Sequence, residues 1–238
     1  MVYFSFVGYE MTEVRPRARR RQANLERILD AATAIVMADG AEALSIKRVA
    51  DDADYTAGAL YRYFPSKNAL LTAVVIRVIG ELECELAELA DALPPNEPLA
   101  HIFAQVLRYC RFSVREGNAY ALLSRMAAEP RVLIEELEDA GAILAATTRA
   151  LTPLTRAMNE AARATQLRPG DARERTMLLY ASLQGVLQLR KQERLAPAAI
   201  DTDGMATMLV RTLLSGWGAK EEELDAALAA ARSADGDE

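Results

Sequence analysis

With 238 residues, 51% hydrophobic and 26% charged, the chain is long enough for one large domain or two unequal ones and needs no metal or disulfide to hold a core. A single histidine, His101, excludes any His-based triad or multi-His metal site, and two cysteines, Cys84 and Cys110, are too few and too far apart for a recognisable metal motif. The net charge of −6 is unevenly placed: residues 14–67 carry ten Lys and Arg against seven Asp and Glu, whereas residues 68–238 carry 18 against 25, a phosphate-seeking end on an acidic body.

High Ala and Leu content with few β-branched runs predicts an all-α protein. The opening VYFSFVGY is apolar but short and has no preceding positive charge, so it fails as a signal peptide. Residues 1–10 are expected to be a loose extension or start-site artefact, because Met11 opens the more ordinary MTEVRPRARRR. Residues 1–22, with Arg15, Arg17, Arg19, Arg20 and Arg21, read as a flexible basic arm, for which a merely solvated tail is the plainer alternative. From Asn24 to Ala38, Leu25, Ile28, Leu29, Ala32, Ile35 and Val36 recur at steps of three and four, one stripe of an amphipathic helix, with Gly40 as its C-cap. Leu44 to Asp52 forms a short second helix with Leu44, Val49 and Ala50 inward. Thr56 is a natural N-cap for a third helix to about Tyr63, and Pro65-Ser66 opens a long fourth from Lys67 to about Leu93.

Two short helices joined by a tight turn hold one helix N-terminus at the floor of the major groove while the other braces the backbone. The geometry asks for a small residue where the helices touch, a residue tolerant of the left-handed region in the turn, and a buried apolar one on the recognition helix. Ala50, Asp54 and Leu60 supply these at offsets of four and ten. The groove-facing side then falls to Lys47, Thr56, Ala57 and Ala59, with Tyr61, Tyr63 and Lys67 placed to reach phosphates. A cation at the N-terminus of the fourth helix opposes the macrodipole, which makes a waiting phosphate the better account of Lys67. Tyr61 and Tyr63 have the alternative of plain packing.

The run ILDAATAIVMADGAEALSIKRVADDADYTAGALYRYFPSKNALLTAVV, and LYRYFPSK above all, resembles the N-terminal domain of TetR-family repressors. The resemblance implies a homodimer that binds an operator on double-stranded DNA with paired recognition helices and releases it when a small molecule enters the C-terminal domain. It puts Lys47 and the start of the third helix at base edges, and Tyr61, Tyr63 and Lys67 on the backbone. Two positions depart from the family pattern: Asp54 stands where the turn glycine is usual, and Tyr55 where a small aliphatic is. The expected organisation is an arm over 1–22, a three-helix DNA-binding domain with the helix-turn-helix over 23–67, and a larger helical effector-binding and dimerisation domain over 68–238.

After the proline-rich LPPNEP loop, helices are predicted near 98–116, 119–128, 131–167, 171–194, 202–217 and 220–232, with Pro153 kinking or splitting the long third segment. MLLYASLQGVLQL (177–189) is apolar almost all round and MATMLVRTLLSGW (205–217) nearly so, which requires burial on several sides. Ala181, Ser182, Gly185, Leu209, Leu213, Gly216 and Trp217 are therefore the candidates for an isologous dimer interface, with an intrachain core as the alternative. For an effector cavity, His101, Gln105, Arg108 and Phe112 share a face by spacing, Arg108 and Gln105 as polar anchors, with Tyr109, Leu123 and Met126 around an apolar body. Core packing or solvent exposure is the commoner fate of such residues. A largely apolar cavity would suit a lipid-like, acyl or aromatic effector. The sequence has no glycine-rich phosphate loop, nucleophile elbow or zinc helix motif, so no catalytic or metal residues, no cofactor and no enzyme activity are expected. No apolar run reaches the ~18 residues of a membrane helix, so no membrane partner is expected, and a reducing cytoplasm is the default location. A regulator acting through protein partners without a pocket, and a non-His-dependent enzyme, are the competing readings.

Overall fold

A computed structural model describes residues 16–128 and 137–236, and every regular element among them is helical. Helix α1 (Pro16–Asp39) buries Ile28, Ala32, Ile35 and Val36, the stripe expected from the spacing, and ends at Gly40 with φ 82. It starts at Pro16 rather than Asn24. Pro16–Gln22, expected as the end of a flexible arm, form the first turns of α1, exposed over Arg17–Gln22, since Arg and Ala are strong helix formers and proline is accepted in a first turn. Arg15 and residues 1–10 lie outside the described residues.

A 3-10 turn (Ala41–Ala43) leads into α2 (Ile46–Asp52), α3 (Ala57–Leu60) and α4 (Lys67–Ala92). The Ser66 hydroxyl caps α4 by accepting from the Ala69 N–H at 3.0 Å. Arg77 of α4 reaches back to Glu26 (3.3 Å) and Asp30 of α1, so the fourth helix belongs to the N-terminal packing as well as to the rest. It also packs on α5 (Pro98–Arg115), α6 (Gly117–Ala128), α7 (Leu137–Ala150) and α8 (Thr152–Arg163). The core is continuous from α1 to the C-terminal helices, and the expected boundary after residue 67 falls at the start of this shared helix.

Pro153 splits the long segment, as its missing N–H demands: α7 ends at Ala150 and Pro153 sits in the first turn of α8. The segment expected as one helix over 171–194 is two, α9 (Ala172–Leu187) and α10 (Arg190–Leu195). Asp171 caps α9 by accepting from the N–H groups of Arg173 (2.7 Å) and Glu174 (3.0 Å), which hold its carboxyl below the ordinary carboxylate range. The cap's contribution is present above the ordinary carboxylate pKa and is lost as pH falls through the lowered value. Helices α11 (Thr202–Gly216) and α12 (Glu221–Asp235) complete the chain, α11 against α9 and α12 along α5. Among the described residues no helix is long and apolar enough to cross a membrane.

Met158 is fully buried in α8, the helix packed on both α5 and α9. Met158→Ala is expected to cost about 2–5 kcal/mol, read as a lower midpoint in urea unfolding with an unchanged slope.

Candidate functional site

The helix-turn-helix is built around three buried contacts. Val49 and Ala50 of α2 and Leu60 of α3 are all 1% exposed or less. The Tyr55 N–H donates to the Ala50 carbonyl at 2.8 Å and closes the turn. Asp54 takes the left-handed conformation, φ 60, which the motif requires and which costs a residue other than glycine about 1–2 kcal/mol. Arg27 of α1 spans the whole turn: its guanidinium donates to the Ala53 carbonyl at 2.9 Å, lies 3.8 Å from the Asp54 carboxylate, and sits 5.5 Å from the centroid of the Tyr55 ring. Both departures from the family pattern thus meet one arginine. Tyr55 is half-buried with its ring against the core.

Thr56 caps α3, its hydroxyl accepting from the Ala59 N–H at 3.2 Å. The helix ends at Leu60 rather than Tyr63, and the chain continues through a hydrogen-bonded turn to Phe64. Lys47, Thr56, Tyr61 and Lys67 are exposed, Tyr61 by 55%. Ala57 and Ala59 are half-buried, and Ala57 packs against the core. The outer surface of α3 and of the turn after it instead runs through Gly58, Tyr61 and Arg62, all exposed. Sequence reasoning passed over Gly58 and Arg62, although a cap at Thr56 with Leu60 inward places steps of three and four from Gly58 on the opposite face. Tyr63 is half-buried and its hydroxyl accepts from the Asn24 amide at 3.1 Å, leaving the phenolic hydrogen to donate elsewhere.

Helix α6 ties this unit to the rest. The Asn118 amide donates to the carbonyls of Met37 (2.9 Å) and Ala38 (3.2 Å) at the end of α1, and Arg125 pairs with Glu42. Arg125 holds the Glu42 carboxyl below the ordinary carboxylate range, and the charge of Lys67 adds to the effect.

A cavity of about 480 Å3 lies between α4, α5, α6, α7, α8 and α9. Of the expected effector residues, Gln105, Tyr109, Leu123 and Met126 line it. His101, Arg108 and Phe112 do not. His101 is buried with Nε2 2.9 Å from the Pro94 carbonyl, pinning the loop before α5, and Phe112 stacks on Tyr109 at 6.1 Å between centroids. The shared face inferred from spacing fails because α5 is buried nearly all round, so only its strip through Gln105, Val106 and Tyr109 meets the cavity. The remaining wall comes from residues sequence reasoning did not select, including Val75, Ile79, Leu82 and Leu86 of α4, Ile143 and Thr147 of α7, and Tyr180 and Leu183 of α9. The apolar stripe of α4 was the available signal. Leu144 and Met177, 65% and 50% exposed, stand where the cavity meets the surface.

A wider open groove of about 1110 Å3 runs between α5, α11 and α12. Its Arg211 and Arg115 are committed to Asp225 and Glu221, and to Glu85 and Glu116, so its charges are largely answered within the chain.

Of the residues expected at a dimer interface, Ala181, Gly185 and Gly216 are exposed, and Ser182, Leu209, Leu213 and Trp217 are half-buried. Arg175 covers the Trp217 ring at 5.2 Å, and the Trp217 carbonyl accepts from the Arg168 N–H at 2.8 Å, so this residue is partly engaged within the chain. Met177, Leu178 and Met208 extend the exposed apolar face of α9 and α11.

Among the described residues the fold is all-α, an N-terminal helix-turn-helix followed by a large helical second part. Residues 28–74 match the family model of bacterial regulatory proteins, tetR family, so this N-terminal stretch is a domain of that type. The chain is similar to the HTH-type transcriptional repressor KstR of Mycobacterium tuberculosis, 45% identical over 60 residues, which is 25% of this chain and 27% of KstR. The match therefore spans about a quarter of that relative. The whole fold is similar to the solved structure of RolR in complex with resorcinol, with a TM-score of 0.64 at 17% identity over 89% of this chain and 96% of that one. It is also similar to FadR from Bacillus subtilis in complex with stearoyl-CoA, with a TM-score of 0.56 at 18% identity over 80% and 98%.

At φ 60 a Cβ branch without a local hydrogen-bonding group is strained. Asp54→Ala is expected to be less stable than Asp54→Gly by about 1 kcal/mol in chemical denaturation.

Proposed function

We propose that the protein is a ligand-responsive transcriptional repressor that binds a pseudo-palindromic operator on cytoplasmic DNA as a homodimer and is released by a small hydrophobic effector. The observation that carries this reading is the continuity of α6: the helix lines the apolar cavity through Leu123 and Met126 and holds the end of α1 through Asn118. A cavity of about 480 Å3 falls in the range of about 300–1,000 Å3 that encloses small molecules. KstR, named as a repressor, supports the sense of regulation, and the neighbours described with resorcinol and stearoyl-CoA support a small-molecule ligand.

In this reading Lys47, Thr56, Gly58 and Ala59 approach base edges, the missing side chain at Gly58 allowing close backbone approach. Tyr61, Tyr63 and Lys67 hold phosphates, with Arg62 beside them. Asn24 orients the Tyr63 hydroxyl. Lys67→Ala is expected to weaken binding to all sequences alike and to reduce the slope of log affinity against log salt by about 1, whereas Lys47→Ala also relaxes base preference. Fluorescence anisotropy on genomic fragments recovered by footprinting measures both. Recovery of no discrete sites, with half-sites about one helical turn apart, overturns operator binding.

Helices α9 and α11 are the proposed dimer face, using Met177, Leu178, Ala181, Ser182, Gly185, Met208, Leu209, Leu213, Gly216 and the edge of Trp217. Within one chain nothing lies within 4 Å of a Cβ added at Gly185. Gly185→Leu is therefore expected to leave the protomer folded while halving the mass seen by light scattering. An unchanged dimer mass moves the interface elsewhere.

A further inference from the structure

Helix α1 runs past the core it packs on, and what it carries there is arginine. Between Glu13 and Glu26 the sequence has five arginines and no acidic residue, and Arg17, Arg19, Arg20 and Arg21 stand exposed on the first turns of the helix. Among the described residues none of these four has an acidic partner, whereas Arg77, Arg115 and Arg211 are each paired within the chain. Like charges one turn apart repel, and cations in a first turn oppose the helix dipole, so electrostatically the cluster works against α1.

The register of α1 says which way each arginine faces. Asn24 donates to the Tyr63 hydroxyl, and Arg27, three residues on, holds the Ala53 carbonyl of the turn. The side of the helix that carries both therefore looks at the helix-turn-helix. Steps of four and seven back from Asn24 put Arg20 and Arg17 on that side. Arg21, four before Leu25 and seven before the buried Ile28, continues the inward stripe at the point where the core ends. Arg19 falls on the other side, in the row of Gln22 and Glu26: Gln22 donates to Glu26 at 2.6 Å, and Glu26 pairs with Arg77 of α4. At 1.5 Å per residue, Arg20 and Arg17 lie about 6 Å and about 10 Å along the helix axis beyond the contact between Asn24 and Tyr63.

Resting on the operator-binding reading above, we infer that Arg17, Arg20 and Arg21 form a phosphate clamp, which α1 carries onto the DNA backbone next to the phosphate held by Tyr63, and that Arg19 takes no part. The row starts at a hydrogen bond to a residue of the DNA-binding unit, and guanidinium groups present the fork that fits phosphate oxygens, so duplex DNA is the partner it suits. Backbone contacts position a protein without reading sequence. The clamp adds affinity to a recognition helix whose Gly58 and Ala59 offer few polar contacts of their own.

The test uses the full chain and a duplex that carries a footprinted site, with binding read by fluorescence anisotropy from about 50 to about 200 mM salt. The variant Arg17→Ala/Arg20→Ala/Arg21→Ala is expected to bind at least about tenfold more weakly at the low-salt end and to lose at least about 2 from the slope of log affinity against log salt, at about 0.9 per phosphate contact. Its thermal midpoint stays at the wild-type value, because the positions are exposed and alanine favours helix. The corresponding triple change to lysine keeps the slope, since it keeps the charge. Arg19→Ala changes affinity less than twofold, and the loss in the triple alanine variant is the same on A·T-rich and G·C-rich flanks. An unchanged slope in that variant overturns the clamp while leaving operator binding intact. A loss for Arg19→Ala equal to that for Arg20→Ala overturns the assignment by helix face, and a loss confined to A·T-rich flanks replaces phosphate contact with groove reading and overturns it too. Recovery of no discrete sites by the wild type overturns the operator reading and the clamp together.

Discussion

Helix α5 has 13 of its 18 residues buried, and that burial governs each polar group among them. A buried polar atom must find a partner inside the protein, and the partners of α5 come from all around it. His101 meets the Pro94 carbonyl, Tyr109 meets Gln184 of α9, and Ser113 donates to the Cys110 carbonyl at 2.6 Å while accepting from Arg190 at 2.9 Å. These bonds fix where the preceding loop, α9 and α10 sit on the central helix. Gln105 Nε2 stands apart as a buried donor without a partner. The same constraint therefore assembles the C-terminal helices around α5.

The N-terminal unit obeys a different constraint, the left-handed turn at Asp54. A glycine there would need no help. With aspartate, the turn gains a side chain that Arg27 approaches, and the same guanidinium holds the Ala53 carbonyl and covers Tyr55. The ion pair itself is weak, since the two side chains are 55% and 91% exposed and water screens them. The hydrogen bond to a backbone carbonyl and the packing over the ring are the parts that tie α1 to the turn. Arg27 thereby places α1, and with it Asn24 under Tyr63, relative to the surface that faces outward through Lys47, Gly58 and Tyr61.

What was legible in the sequence follows from where local patterns decide structure. The 3.6-residue stripe of α1, the cap at Thr56, the opening of α4 after Pro65-Ser66 and the break at Pro153 act within a few residues, so each was readable and each is present. The arginine run was misread at its end because clustered charge suggests a disordered arm, whereas arginine and alanine side by side also favour helix. The cavity was harder. An all-round apolar helix such as α5 has no polar face to orient it, so nothing local distinguishes the strip of Gln105 and Tyr109 from that of His101 and Phe112. The contributions of α4 and α9 depend on tertiary packing. Ala57 shows the same limit at smaller scale: its neighbours decide that it packs inward and leaves Gly58 outermost.

Helix α6 joins the two constraints, and magnitudes indicate how firmly. It carries Leu123 and Met126 at the cavity and Asn118 and Arg125 at the end of α1, within one rigid element of 12 residues. Beside the packing of α6 on α1, its polar link to the DNA-binding unit is two amide-to-carbonyl bonds, each worth about 0.5–1.5 kcal/mol net, and an exposed ion pair worth about 0–1 kcal/mol. A population shift of tenfold takes about 1.4 kcal/mol of differential affinity between two states. These polar contacts are thus weak enough for a guest of modest differential affinity to reset them, while the packing of α6 on α1 keeps the two helices together. Under the proposed function, a guest that fills the cavity need only displace Leu123 or Met126, because α6 cannot yield at one end without disturbing Asn118 at the other.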